Sequence, residues 1–194
     1  MAKTRVLFLC TQNSARSQMA EAFLREYGGD RFEAYSAGCS AAEEVHPYAV
    51  RVMKEVGIDI EDQYPKGLRT YMGKVHFGYL ITVCARAERD CPTVFPGVGL
   101  KLTWLFDDPR GDDVREEERL EKFREVRDEI EMKIKHWLEH PEEEIERLRA
   151  ERDRERHERS RAAQREAESF AVSGAADAGR TTYPLTRPAT LLQA

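Results

Sequence analysis

The sequence predicts an α/β fold: a parallel sheet of four strands with helices on its faces, followed by a charged C-terminal extension. Three observations carry this expectation. Short, wholly apolar runs alternate with longer segments at helical spacing, glycine and proline fall between them, and the excess charge is confined to the region beyond Pro141. Arg5–Leu9 reads as a strand buried on both faces. Arg16–Tyr27 follows as a helix with Met19, Ala20, Phe23 and Leu24 on one face, stopped by Gly28 and Gly29. Phe32–Ser36 gives a second strand, and Pro47–Val56 a helix opened by proline and closed by Gly57. Phe77–Cys84 and Leu100–Leu105 give the third and fourth strands. The last strong element runs from Glu116 to Leu138, with Leu120, Phe123, Val126, Ile130, Ile134 and Trp137 at helical spacing and acidic residues in its first turn.

These elements place a domain at residues 1–140 and an extension at 141–194. Between Glu142 and Arg161 there are 15 charged residues, and only Ile145 and Leu148 are sizeable apolar anchors, so this stretch is either a solvated helix or disordered. Ala162–Ala194 is rich in small residues, threonine and proline without a sustained period, a composition that does not offset its ordering entropy. The balance of 31 basic against 36 acidic residues gives a net charge of -5, which argues against nucleic acid or an anionic membrane as partner. No apolar run approaches the roughly 18 residues of a membrane span. Met1-Ala2-Lys3 leads straight into the first strand without a cleavage-site pattern, so a cytoplasmic protein is expected. Four dispersed cysteines, Cys10, Cys39, Cys84 and Cys91, do not form a secreted disulfide framework. The five histidines show no metal-ligand spacing, and no metal site is expected.

Ligands in parallel sheets bind beyond the carboxyl ends of the strands, and Cys10 occupies such an end. It is followed by Thr11, Gln12, Asn13, Ser14, Ala15, Arg16 and Ser17. Five residues between Cys10 and Arg16 can curl so that their amides converge on a tetrahedral oxyanion at the start of the next helix. Arg16 can close the bowl with a fork of donors, and the same positive field is expected to favour thiolate at Cys10. Asn13 tolerates left-handed backbone, and the Ser17 hydroxyl can donate to the sulfur. The plainer alternative is a buried cysteine ending a strand, with Asn13 or Ser14 as an ordinary helix cap.

The stretch VLFLCTQNSARSQMAEAF resembles the start of the low-molecular-weight protein tyrosine phosphatase superfamily, and particularly its arsenate reductase branch. The resemblance spans roughly residues 4–138. It implies a four-stranded parallel sheet flanked by helices and a loop cysteine that attacks a phosphoryl or arsenyl centre. Phosphate and arsenate are near-isosteres, so the loop alone does not choose between them.

The later cysteines do. Cys84 ends the third strand, which brings it to the same sheet edge as Cys10, and hydrolysis gives no reason for Cys84 and Cys91, whereas reduction must find two electrons. VCARAERDCP resembles the Cys-x6-Cys-Pro segment of thioredoxin-coupled arsenate reductases. By that resemblance Cys10 attacks arsenate, Cys84 attacks Cys10 as arsenite leaves, and Cys91 captures Cys84. The resulting Cys84–Cys91 disulfide would be offered to thioredoxin, with no bound redox cofactor and with phosphate or sulfate as competing anions. The polar stretch 85–90 is expected to be mobile enough for this, and Cys39 is expected to be a spare thiol. Phe106-Asp107-Asp108-Pro109 resembles the loop that supplies a general acid, a role expected of Asp108 with Asp107 as fallback. Arg110 stands where active tyrosine phosphatases commonly carry an aromatic residue. Some related reductases bind potassium through residues matching Asn13, Glu21 and Ser36 plus an aspartate, whose place here falls at Lys66. No tight potassium site is therefore expected, and Lys66 is either a substitute for the ion or a surface lysine. The competing readings are a phosphatase hydrolysing phosphate monoesters through a Cys10 phosphocysteine, and a non-catalytic anion-binding module.

Overall fold

The computed structural model describes residues 2–91, 96–110 and 115–177. Pro92 of the Cys-Pro pair and residues 178–194 of the extension lie outside the described residues. Four parallel strands form one sheet in the order β2-β1-β3-β4: β1 is Thr4–Cys10, β2 Phe32–Gly38, β3 Phe77–Thr82 and β4 Val98–Thr103. Helices α1 (Arg16–Gly28), α2 (Pro47–Glu55), α3 (Ala85–Asp90) and α4 (Glu116–Glu139) flank it.

β1 lies between β2 and β3, which explains why its sequence is continuously apolar: Val6, Leu7, Phe8 and Leu9 are all buried. Its register sets Cys10 opposite Gly38, so the ends of β1 and β2 lie side by side. The α4 stripe is buried from Leu120 to Trp137. Around Trp137 close the rings of Phe32, Tyr79 and Trp104, with centroids 5.0, 5.2 and 5.5 Å away. Each such buried side chain stabilises the fold by about 1.5–3 kcal/mol, which is what anchors this long, otherwise polar helix. α2 begins at Pro47, with His46 Nδ1 accepting from the Tyr48 amide at 3.2 Å, and the turn after it uses Gly57 at φ +80°.

Two elements differ from expectation. The segment 85–90 is not a mobile loop but the one-and-a-half-turn helix α3, capped by the Cys84 sulfur, which accepts from the Ala87 amide at 3.3 Å. The extension is a helix, α5, from Pro141 to Asp177, continuing past Arg161 where composition suggested no order. Ala162, Ala163 and Ala167 are strong helix formers that carry it onward. Two compact units divide between Glu144 and Ile145, a little beyond the expected boundary. Glu144 and Glu143 are held to α4 by Lys133 at 2.5 Å and His136 at 2.9 Å. No helix among the described residues is long and apolar enough to cross a membrane.

Candidate active site

The loop from Cys10 to Arg16 hangs between the end of β1 and the start of α1. Its carbonyls are turned outward and held by the chain after β2: Cys10, Thr11, Gln12 and Ser14 accept from the amides of Cys39, Ser40, Ala42 and His46 at 2.7–3.3 Å. Such tethering leaves the loop amides free to face inward. One of them, from Asn13, donates to Cys10 Sγ at 3.0 Å. Gly38 permits the close approach, because a Cβ there would lie 2.7 Å from the Thr11 carbonyl oxygen.

Asn13 takes the left-handed backbone anticipated for it, at φ 52°. Its buried side chain holds that conformation, donating to Ser17 Oγ and Ser36 Oγ at 2.8 Å each and accepting from the Lys66 amide at 2.7 Å. Ser17 Oγ, which accepts from Asn13, lies 2.9 Å from Cys10 Sγ, within reach to share a proton with the sulfur. The helix cap is Ala15, with no side-chain bond, so neither Asn13 nor Ser14 serves as an ordinary cap and the first amides of α1 stay open.

Arg16 is buried, yet its charge is engaged: it donates to the Phe106 carbonyl at 3.0 Å and pairs with Asp108 at 2.9 Å. Asp108 also accepts from Arg110, from Nε at 2.9 Å and Nη2 at 2.6 Å, and Arg110 reaches on to Gln12 Oε1. Burial by itself would raise the Asp108 carboxyl, but the Arg110 bonds and the charges of Arg16 and Arg110 hold it down to about 2. As paired here it is a carboxylate. Asp107, the fallback, is 81% exposed and faces Lys122 at 3.6 Å. Arg110 lines, with Cys10, Gln12, Ser14, Ala15 and Arg16, the small cavity over the sulfur.

The expectation of a readily ionised Cys10 is also corrected. Burial pushes its thiol above the ordinary range, aided by neighbouring Cys84, and the bonds from Ser17 and Asn13 with the charge of Arg16 do not offset it. The cause is the enclosure of the sulfur, which is 4% exposed, and the charge of Arg16 acts against it without outweighing it.

The cysteines are paired differently from the expected Cys84–Cys91 bond. Cys39 and Cys91 form a disulfide, with Cα atoms 5.7 Å apart, while Cys10 and Cys84 are free and buried. With α3 formed, Cys84 and Cys91 cap its opposite ends, about 10 Å apart along the axis, beyond the roughly 7 Å that a disulfide spans. Cys39 is therefore no spare thiol in this state. Cys84 does sit at the loop, its Sγ 3.6 Å from Thr11 Oγ1.

Behind the loop, Lys66 is buried and its ammonium lies 3.1 Å from Glu21 Oε2, which also accepts from Ser36 Oγ at 2.5 Å. Asn13, Glu21, Ser36 and Lys66 thus form one connected group that carries its own side-chain cation. The residues do not fit a potassium ion. Among the described residues no three His, Cys, Asp or Glu side chains gather as a metal site. Sequence reasoning missed two participants, Arg110 as a contact of the loop and Cys39 as a partner of Cys91.

Residues 5–153 match the family model for low molecular weight phosphotyrosine protein phosphatases. The chain is 41% identical over 140 residues to an arsenate reductase of Halalkalibacterium halodurans, covering 72% of this chain and 98% of that protein. Among solved structures it is similar to a thioredoxin-dependent arsenate reductase of Corynebacterium glutamicum, with 30% identity and a TM-score of 0.53 over 71% of this chain and 61% of the other. A low molecular weight protein tyrosine phosphatase from T. tengcongensis aligns with 29% identity and a TM-score of 0.55 over 71% of this chain and 99% of that one.

Proposed function

Because the chain belongs to the low molecular weight phosphotyrosine protein phosphatase family, we propose that it uses the family's anion loop to reduce arsenate to arsenite, with thioredoxin returning the electrons. The observation that carries this is the free Cys84 thiol beside the Cys10 loop, 3.6 Å from Thr11 Oγ1, where a hydrolase has no use for it. The arsenate reductases among the relatives support the same reading.

Arsenate replaces Asp108 on Arg16 and takes the inward amides of residues 11–17. A protonated Cys10 is no obstacle. Thiol and hydrogen arsenate condense to a sulfur–arsenic bond and water without net change in charge, the thiol proton leaving on the departing oxygen. Cys84 then attacks Cys10 Sγ, and the electron pair of the sulfur–arsenic bond goes to arsenic, which departs as arsenite. Cys91 next attacks Cys84, returning Cys10 to a thiol. This step requires α3 to unwind, since the helix holds the two sulfurs apart. Arg110 over the loop is charged and offers no apolar seat for a phosphotyrosine ring. Such a cycle belongs to a reducing compartment, and we place it in the cytoplasm.

The testing experiment is arsenate-dependent NADPH oxidation in the presence of thioredoxin and thioredoxin reductase. Turnover that requires all three supports the proposal; oxidation independent of arsenate, or hydrolysis of phosphate esters as the sole activity, would remove it.

Lys66 yields a separate expectation. With its ammonium on Glu21, exchanging potassium for sodium should leave activity unchanged within about twofold. In Lys66→Ala the Asn13–Ser36–Glu21 group is left without its cation, and activity should fall and become potassium-dependent. Titration of turnover against each salt at fixed ionic strength reads both, and strong potassium activation of the unaltered protein would refute the substitution.

A further inference from the structure

All four cysteines gather at one edge of the sheet. Cys10 ends β1, Cys39 follows the end of neighbouring β2, and Cys84 follows β3 on the other side. Strands lie about 4.8 Å apart, so the distance from beyond β3 to beyond β2 is about 10 Å, which is the length of the seven residues from Cys84 to Cys91 when helical. α3 accordingly reaches from Cys84 to the side where Cys39 waits, and Cys91 is bonded there. Cys39 itself is fixed: its amide donates to the Cys10 carbonyl at 3.3 Å, and Ser40 is tied to Thr11 at 2.9 Å. Cys91 therefore does the travelling.

Resting on the arsenate reductase reading above, we propose that Cys39 is a fourth redox residue, which takes Cys91 from Cys84 so that the disulfide handed to the reductant is Cys39–Cys91. The step is an exchange without net oxidation. The Cys39 thiolate attacks Cys91 Sγ, the Cys84–Cys91 bond breaks, and Cys84 leaves as a thiolate that takes up the proton Cys39 lost. The oxidising equivalent moves to a pair whose Cys39 is partly exposed, whereas Cys84 is 1% exposed. α3 rewinds because the constraint between its two ends is gone. Cys10 and Cys84 are then both thiols, the state found here, and can meet a second arsenate before any reductant arrives.

Electron counting makes this testable. A three-cysteine relay stores one disulfide and releases one arsenite per chain without reductant. With Cys39 included, the chain stores Cys39–Cys91 and then Cys10–Cys84, and releases two. The full-length chain is reduced, freed of reductant without oxygen and mixed with excess arsenate in the absence of thioredoxin. Arsenite per chain is counted by arsenic speciation, and the disulfides are mapped by peptide mass spectrometry after alkylation. We expect two arsenites and a Cys39–Cys91 link that appears only with arsenate, and one arsenite in Cys39→Ser. One arsenite from the unaltered chain, with Cys84 linked to Cys91 and Cys39 alkylated, would overturn the assignment while leaving the activity standing. The mapping on the unaltered chain decides this even if Cys39→Ser folds poorly. A chain that releases no arsenite overturns the activity and the fourth cysteine with it.

Discussion

Cys10→Ser is expected to abolish both arsenate reduction and the hydrolysis of p-nitrophenyl phosphate, whereas Cys84→Ser abolishes only the first. The loss at Cys10 should be roughly 10³-fold or more in each assay, because nothing in contact with its sulfur can act as a base for a serine hydroxyl. Its neighbours are the Ser17 hydroxyl at 2.9 Å and the Asn13 amide, which donates to it at 3.0 Å, and neither is a base. Such surroundings give an alcohol no help, and a serine hydroxyl is a far weaker nucleophile than a thiol. Cys84 lies outside that shell, against Thr11 Oγ1 and the Ala87 amide. A serine there keeps the loop and the first condensation, so a phosphoryl group can still be transferred to Cys10 and on to water. Arsenic, by contrast, stays bound to sulfur because nothing attacks Cys10 to take its electrons. Cys91→Ser should release one arsenite per chain and then stop. Steady-state turnover of the Cys84→Ser protein with thioredoxin would contradict the relay.

How much of this was legible beforehand follows from the range of each interaction. β1 and α4 could be read directly, since burial on both faces of a central strand and a long apolar stripe each leave a local pattern. α3 could not: one and a half turns show no period, and its one buried residue is Ala87. The Cys39–Cys91 bond joins residues 52 apart in sequence through the order of the strands, which spacing along the chain does not encode. Arg110 was noticed as a departure from the phosphatases, but its contact with Gln12 depends on how the loop after β4 folds back over the first. Thiol acidity failed for a related reason. The positive field at Cys10 could be inferred from Arg16, but the burial of the sulfur, which outweighs it, leaves no trace in the sequence, and nor does the separate pairing of Arg16 with Asp108.

That pairing makes Arg16 the other position of large effect, and its two roles can be separated. Arg16→Lys should lower kcat/KM for arsenate by about 10²–10³-fold, because a lysine keeps the charge but loses the planar fork that meets two oxygens at once. Arg16→Ala should in addition lose measurable phosphate binding by calorimetry. The guanidinium is already held in a fork, on the Phe106 carbonyl at 3.0 Å and Asp108 at 2.9 Å, so substrate need only replace one oxygen acceptor by another. The pH dependence gives an independent reading. Asp108 is held down to about 2 in the fold, so the stability from its pairing is fully present above the usual carboxylate range and is lost as pH falls through about 2. Because the carboxylate is 45% exposed, that contribution is small and should weaken with salt. In Arg16→Ala the Asp108 carboxyl should titrate higher but still below an ordinary aspartate, since the Arg110 bonds at 2.9 and 2.6 Å remain. Following the carboxyl resonance by NMR from neutral to acid pH measures this shift. An unchanged titration in Arg16→Ala, or a lysine variant with undiminished kcat/KM, would show that Arg16 holds neither the aspartate nor the anion.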